Sequence, residues 1–400
     1  MKEEILDKSD NFDSLKNNKS LIKTKISSII ASLTFIGLIT YIILLIFNNR
    51  NIMNFSSNSS IKLLKEENDY SFVTEYTTEE DDKTIEIINP NFKNIISKLE
   101  IDGEEVEACT SYTFKSKGIH KIYFTFNLDG VTSFERMFSG NDYLTTISFS
   151  PSFNTENITN MEGWFNACNK LISVDLSHLN FRNVIFLGLS FGKSKSLKTV
   201  DLSNINAEKL TDMAGTFYGS SSLTFINLTN FNAPELWQMI HTFRECTSLI
   251  SIDFTNFRAP KLITLQNAFY MSPSLKSVNL SSVESDAFRI LGEAFSGCSS
   301  LEYVYLPKTT IKKDVIVWRA FRYCQSLKSI DLSDYTGKEL SYQTFEGCTN
   351  LTYIDISSYD DIPENLFSNL PEIGEIKVNK RGYDNIKDQI PEDWTIIVVK

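Results

Sequence analysis

Two hydrophobic patterns divide the chain. Residues 26–47, ISSIIASLTFIGLITYIILLIF, are an apolar run of 22 positions without a charge. As a helix this run extends about 33 Å, enough to cross a bilayer core of about 30 Å. It exceeds the apolar core of about 7–15 residues found in a removable signal peptide, which remains the alternative. Lys16, Lys19, Lys23 and Lys25 precede it, and only Arg50 follows closely. That asymmetry predicts a transmembrane signal anchor with residues 1–25 as a cytoplasmic tail and the remainder outside, at the plasma membrane. Residues 48–82 are polar, lack a sustained apolar period and read as a stalk.

The second pattern is a repeat. Phe stands at 138, 165, 191, 217, 243, 269, 295, 321, 345 and 367, in steps of 27, 26, 26, 26, 26, 26, 26, 24 and 22. An aliphatic residue follows each Phe at +6, from Leu144 and Leu171 to Leu351 and Ile373. Others follow at +9, from Ile147 to Ile376, and at +11, from Phe149 to Val378. The +9 and +11 columns alternate with period 2, so they predict a short strand with one face inward. Their string, L-x-x-L-x-L, is the core of a leucine-rich repeat. Segments such as LTDMAGTF and LWQMIHTF space apolar residues at 3 and 4 and predict short helical turns opposite the strands. The expected fold is therefore an α/β repeat solenoid of short parallel strands plus short helical turns. About ten repeats span 131–379. A small β cap of four or five strands precedes them at 83–130, and a C-terminal cap follows at 380–400.

Charge narrows the partners. The net charge of −11 opposes nucleic acid, which needs a basic face. Cys168, Cys246, Cys298, Cys324 and Cys348 all sit three residues after a repeat Phe, where other repeats carry Asn141, Ser194, Ser220 or Ser272. A position shared by Cys, Ser and Asn reads as a small buried loop site holding free thiols. Disulfides or a metal site are the alternative, but no C-x-x-C exists and only His120, His178 and His241 are present. His241 and Cys246 lie five apart, a weak signal for a nucleophile pair. No catalytic set, metal or cofactor is expected.

The outward strand positions form a repeated polar face. Its central column reads Ser148, Asp175, Asp201, Asn227, Asp253, Asn279, Tyr305, Asp331, Asp355 and Lys377, and its flanking column includes Phe225, Tyr303 and Tyr353. It is read either as a solvated face or as a partner-binding one with these aromatics as anchors. Sequons on the part read as outside the membrane occur at Asn54, Asn58, Asn157, Asn227, Asn279 and Asn350.

The unit LTDMAGTFYGSSSLTFINLTNFNAPE (210–235) resembles the BspA-like leucine-rich repeat surface proteins. So do FSGCSSLEYVYL (295–306), FRYCQSLKSIDLS (321–333) and FEGCTNLTYIDIS (345–357). The resemblance covers 131 to about 378. It implies surface exposure, with adhesion or host binding in some members, and no shared catalytic residues. Many members carry a lipidated Cys just after the apolar run; here the first Cys is Cys109. The function expected is adhesion to, or recognition of, an extracellular protein or glycan. A sensor needing a transmembrane partner is the second reading, and an enzyme the third.

Overall fold

The computed structural model describes residues 71–399, apart from 311–312, 338–339, 342, 364–365 and 367–369. The tail, the signal anchor and most of the stalk lie outside the described residues, as does Phe367. Among the described residues no helix is long and apolar enough to cross a membrane.

The N-terminal cap comprises β1 (Phe72–Thr78), β2 (Lys83–Glu86), β3 (Ile96–Ile101), β4 (Glu104–Val106), β5 (Ser111–Phe114) and β6 (Gly118–Phe126). The first coil contributes β7 (Leu144–Phe149), and β8 (Ser173–Asp175) follows. These strands form one sheet in the order β4-β3-β6-β1-β7-β8, with β2 paired to β5 separately. Strand β1 is antiparallel to both β6 and β7, and β7 is parallel to β8. The cap sheet therefore runs directly into the solenoid. Residues 72–78, assigned to the stalk from sequence, are in fact an inner strand of this sheet. Their alternation is real, since Phe72, Thr74, Tyr76 and Thr78 are all buried. Two inward Thr residues disguised it as polar sequence.

Each later coil adds one three-residue strand: β9 (Thr199–Asp201), β10 (Phe225–Asn227), β11 (Ser251–Asp253), β12 (Ser277–Asn279) and β13 (Tyr303–Tyr305). After the short β14 (Lys313–Asp314) come β15 (Ser329–Asp331), β16 (Tyr335–Thr336) and β17 (Tyr353–Asp355). Paired strands are in register, with Ile226 beside both Val200 and Ile252. One coil cannot bury its own apolar edge; stacking converts the edges into one core. Its spine is the Phe column. From Phe138 to Phe345, successive rings lie 5.0–6.0 Å apart and within 20° of parallel.

The expected helical turns are absent from the described coils. Residues five before each Phe, such as Asp212, Gln238 and Thr264, instead make parallel bridges from coil to coil. In the segment that follows, alternate amides bond forward: Gly215 N donates to Ile240 O at 2.8 Å and Phe217 N to Thr242 O at 2.8 Å. The backbone is left-handed two residues before Phe (Leu189, Gly215, His241, Asn267, Glu293) and again two after (Lys193, Gly219, Glu245, Met271, Gly297). A right-handed helix cannot contain such residues. The 3-and-4 apolar spacing came from turns that return the chain to the core every few residues.

The solenoid closes with β18 (Gly374–Asn379), helix α1 (Lys380–Ile386) and β19 (Trp394–Val399), giving the sheet order β15-β17-β18-β19. Ile376 and Val378 are buried, as the repeat columns require. Ile373 departs from its column and is 69% exposed. The last step is shortened to 22 residues, so the loop before β18 cannot follow the earlier path.

Candidate functional site

The outward Asp/Asn column has a local task. Oδ1 of Asp175, Asp201, Asn227, Asp253, Asn279, Asp331 and Asp355 each accepts the backbone N–H two residues on, at 2.8–3.1 Å. This Asx turn ends the seven strands that carry these residues and bends the chain out of the sheet. Asp and Asn interchange because both offer the same oxygen. Asp355 is only 1% exposed and its other oxygen meets Lys377 Nζ at 2.7 Å. It is thereby withdrawn from the partner-facing set. Burial pushes its carboxyl up, but the Lys377 ammonium and hydrogen bonds from Ser357 outweigh this and hold it below the usual range.

Tyr305 replaces the Asx residue in its coil and Tyr303 precedes it by two, so both side chains leave the same face. They are 57% and 39% exposed. In the adjoining coil Ser277 lies beside Tyr303 and Asn279 beside Tyr305. Lys328 Nζ stands 5.0 Å from the Tyr303 ring centre and ion-pairs with Glu302. Phe225 and Tyr353 are half-buried.

The column three residues after Phe is a donor ladder. Cys168, Ser194, Ser220, Cys246, Ser272, Cys298, Cys324 and Cys348 each donate to the carbonyl of the Phe in the preceding coil, at 2.6–3.1 Å. Thiol and hydroxyl make the same bond, which explains their exchange. All six cysteines are free. Burial pushes the thiols of Cys168, Cys298 and Cys348 up to about 12, so they stay protonated.

Residues 214–316 and 289–390 match the BspA type leucine rich repeat region, in six copies. Residues 214–390 thus carry BspA-type leucine-rich repeats. Residues 106–231 match a second model, described as a Mycoplasma protein of unknown function, DUF285. No curated protein matches the chain. Among solved structures, the TLR13-ssRNA13 complex is similar over 62% of this chain at 17% identity and TM-score 0.29. The chain spans 40% of that protein's length. An internalin (inlF) from Listeria monocytogenes str. 4b F2365 is similar over 68% of this chain and 83% of its own, at 10% identity and TM-score 0.28.

The histidines are separated in the fold. His120 lies in the cap, with Nδ1 2.7 Å from Asp102 Oδ2 and Nε2 3.2 Å from Thr78 Oγ1. The order Thr-His-Asp looks catalytic, but Thr78 is buried and the His120 ring stacks on Phe114 at 4.1 Å. The set braces β1 against β6. His241 sits on a left-handed turn, and burial together with Arg244 pushes its imidazole down. The Cys246 thiol points instead at Phe217 O, so the suggested pair is not brought together. Among the described residues no three His, Cys, Asp or Glu side chains are grouped to hold a metal. A cleft of about 380 Å³ is lined by Glu79, Lys83, Tyr143 and Lys170 among others, and its lysines pair with Glu79 and Glu80.

Of the sequons, Asn54 and Asn58 lie outside the described residues. Asn227 and Asn279 hold Asx turns, Asn350 Nδ2 donates to Gln325 O at 2.8 Å, and Asn157 is exposed. Sequence reasoning passed over the turns flanking Phe. They expose Leu189, Met271, Trp318 and Tyr323, and Arg244 lies between the rings of Tyr218 (5.8 Å) and Tyr270 (4.7 Å). These positions form columns of their own at −3, −2, +1 and +2, a signal present in the repeat but masked by their varied chemistry.

Proposed function

We propose that this chain is a membrane-anchored surface protein that recognises an extracellular protein or glycan through its solenoid, without catalysing a reaction. The observation carrying this reading is the Tyr303–Tyr305 pair. Two exposed aromatic rings on one strand, edged by Ser277, Asn279, Ser329, Asp331 and Lys328, combine a flat apolar platform with hydrogen-bonding groups. Aromatic residues dominate binding hot spots because they bury much area at little entropic cost. The remaining outward residues, Asp175, Asp201, Asn227, Asp253 and Tyr353, extend the surface to either side. Residues 26–47 supply the anchor, with the N-terminus cytoplasmic.

Full-length protein in detergent micelles, probed against glycan and extracellular-matrix protein arrays, tests this reading. Binding by the native chain and at least a tenfold loss in Tyr303→Ala/Tyr305→Ala is the expected result. Binding that the double variant retains refutes the platform. Epitope tags at each end, stained on intact and permeabilised cells, test the orientation: only the C-terminal tag should stain on intact cells.

A further inference from the structure

The arginines on the turns flanking the Phe column are held in different ways. Arg322 bonds Glu346 through both Nε and Nη2, and Nη2 also donates to the Tyr323 hydroxyl. Arg319 donates from Nε to Gln343 Oε1 at 2.6 Å and has Nη1 3.6 Å from Glu293. The forks of both are engaged by the protein itself. Arg244 donates from Nε to Glu245 Oε1 at 3.0 Å. Its guanidinium lies 4.7 Å from the Tyr270 ring centre and 5.8 Å from that of Tyr218, one coil to either side. Two rings and one carboxylate thus fix its plane, while among the described residues Nη1 and Nη2 have no hydrogen-bond partner. Arg182 also bonds through Nε alone, to Glu208 at 2.9 Å, but its side chain is 63% exposed against 31% for Arg244, and among the described residues no ring flanks it. An ion pair ordinarily costs side-chain entropy, and a guanidinium held in advance has lost that freedom already. The Nη1–Nη2 edge left over is a two-pronged donor for a planar oxyanion. The half-buried Tyr218 and Tyr270 hydroxyls likewise have no protein partner among the described residues. At the same turn Arg244 N donates to His241 O at 3.2 Å, and His241 Nδ1 is buried without a partner.

We infer that Arg244 receives the carboxylate of a uronic acid unit in an acidic polysaccharide, at a site separate from the Tyr303–Tyr305 pair. A carboxylate meets the fork with two parallel bonds. A hydroxyl both donates and accepts, so ring hydroxyls beside that carboxylate suit the phenols on either side of the fork. Lys193 Nζ, 5.6 Å from the Tyr218 ring centre, adds a positive charge that offsets Glu245. An acidic peptide fits less well. Side chains on one face of an extended chain recur about every 6.8 Å, out of step with coils that rise about 4.8 Å. A polysulfate is also disfavoured. The chain carries −11, which opposes a densely charged polymer, whereas one carboxylate on a ring asks for a single fork.

The test uses the full-length chain in detergent micelles, titrated in a calorimeter with tetragalacturonate and with its methyl ester at about 0.15 M salt. The native chain should bind the acid and bind the ester at least tenfold more weakly, since the ester keeps every ring hydroxyl and loses the charge. Arg244→Lys keeps the positive charge without the fork, and should weaken binding of the acid at least tenfold. Tyr270→Leu removes one wall of the guanidinium slot and should weaken it severalfold, which gives a second variant should the first not fold by circular dichroism. Arg182→Lys should bind as the native chain does. So should Tyr303→Ala/Tyr305→Ala, which separates failure of this site from failure of the strand face. An acid that does not bind, an ester that binds equally, or native affinity in Arg244→Lys overturns the inference. Binding of hexaglutamate in preference to the acid overturns it as well.

Discussion

Replacing Asp253 by Asn should leave the solenoid intact, while replacing it by Ala should release one turn. The Asp253 Oδ1 atom accepts the Thr255 amide at 2.9 Å. Asn retains that oxygen and Ala removes it. A bond of this kind contributes about 0.5–1.5 kcal/mol, similar to a helix N-cap. The charge itself matters less. Its neighbours in the column are Asn227 and Asn279, and the next carboxylate on that side, Asp201, is two coils away. At about 9.6 Å in water the repulsion is about 0.4 kcal/mol, and salt screens it further. The acceptor therefore outweighs the charge. Hydrogen exchange followed by mass spectrometry reads the Thr255 amide directly. Asp253→Ala should speed its exchange about fivefold, the equivalent of about 1 kcal/mol, and Asp253→Asn should leave it within about twofold. Equal acceleration by both variants would refute the Asx-turn account and show that the carboxylate charge is what the site uses.

Phe243→Ala removes a ring stacked on both sides, and should cost about 3–5 kcal/mol by denaturant unfolding. Because coils contact only their neighbours, it should also split one transition into two. Cys246→Ser should stay within about 1 kcal/mol of the native chain in a thermal melt, because Ser makes the same bond in the coils on either side. Alkylation of the folded protein should modify Cys109, which is half-buried, before any of the five ladder thiols, as read by peptide mass mapping. The Asp355 carboxyl is held below its unfolded value of about 3.9, so its stabilising contribution is present above that pH and lost as pH falls through the folded value. The stability difference between the native chain and Asp355→Asn, measured by urea unfolding from pH 6 to pH 2, should accordingly shrink below about pH 4. Gly347→Ala should destabilise, since Gly347 has φ of 77° and an added Cβ would lie 2.6 Å from the Tyr323 ring; a melting temperature equal to the native one would contradict this.

The Phe, Leu and Ile columns were legible because burial is strict and the same side chain returns every 26 residues or so. The Cys/Ser column was legible as buried, but its hydrogen bond to the Phe carbonyl was not, since the acceptor is backbone and leaves no mark on the sequence. Turns were misread as helix for a related reason. Leu189, His241, Glu293 and Lys193 occupy left-handed positions that sequence convention reserves for Gly and Asn, and coil-to-coil bonds hold them there. Glycine at Gly215, Gly219 and Gly297 was the trace of that geometry. The outward Asp column looked functional because it was polar and repeated. A polar residue repeated in every coil is better explained by what every coil needs, and the Asx turn is such a need. Departures from the column, Tyr305 above all, are where recognition chemistry can differ from scaffold chemistry.

Strand β1 lies between β6 and β7, paired along its length with β6 and over Phe72–Tyr76 with β7. It is also the first described strand on the path from the proposed anchor. A surface protein held by its N-terminus transmits any pull on its ligand through residue 71. Force applied along β1 loads two rows of hydrogen bonds together, in shear. A strand at the sheet margin would give up its bonds one at a time. If the proposed anchor and partner both hold, tension between them would be borne by the order in which six strands are laid side by side.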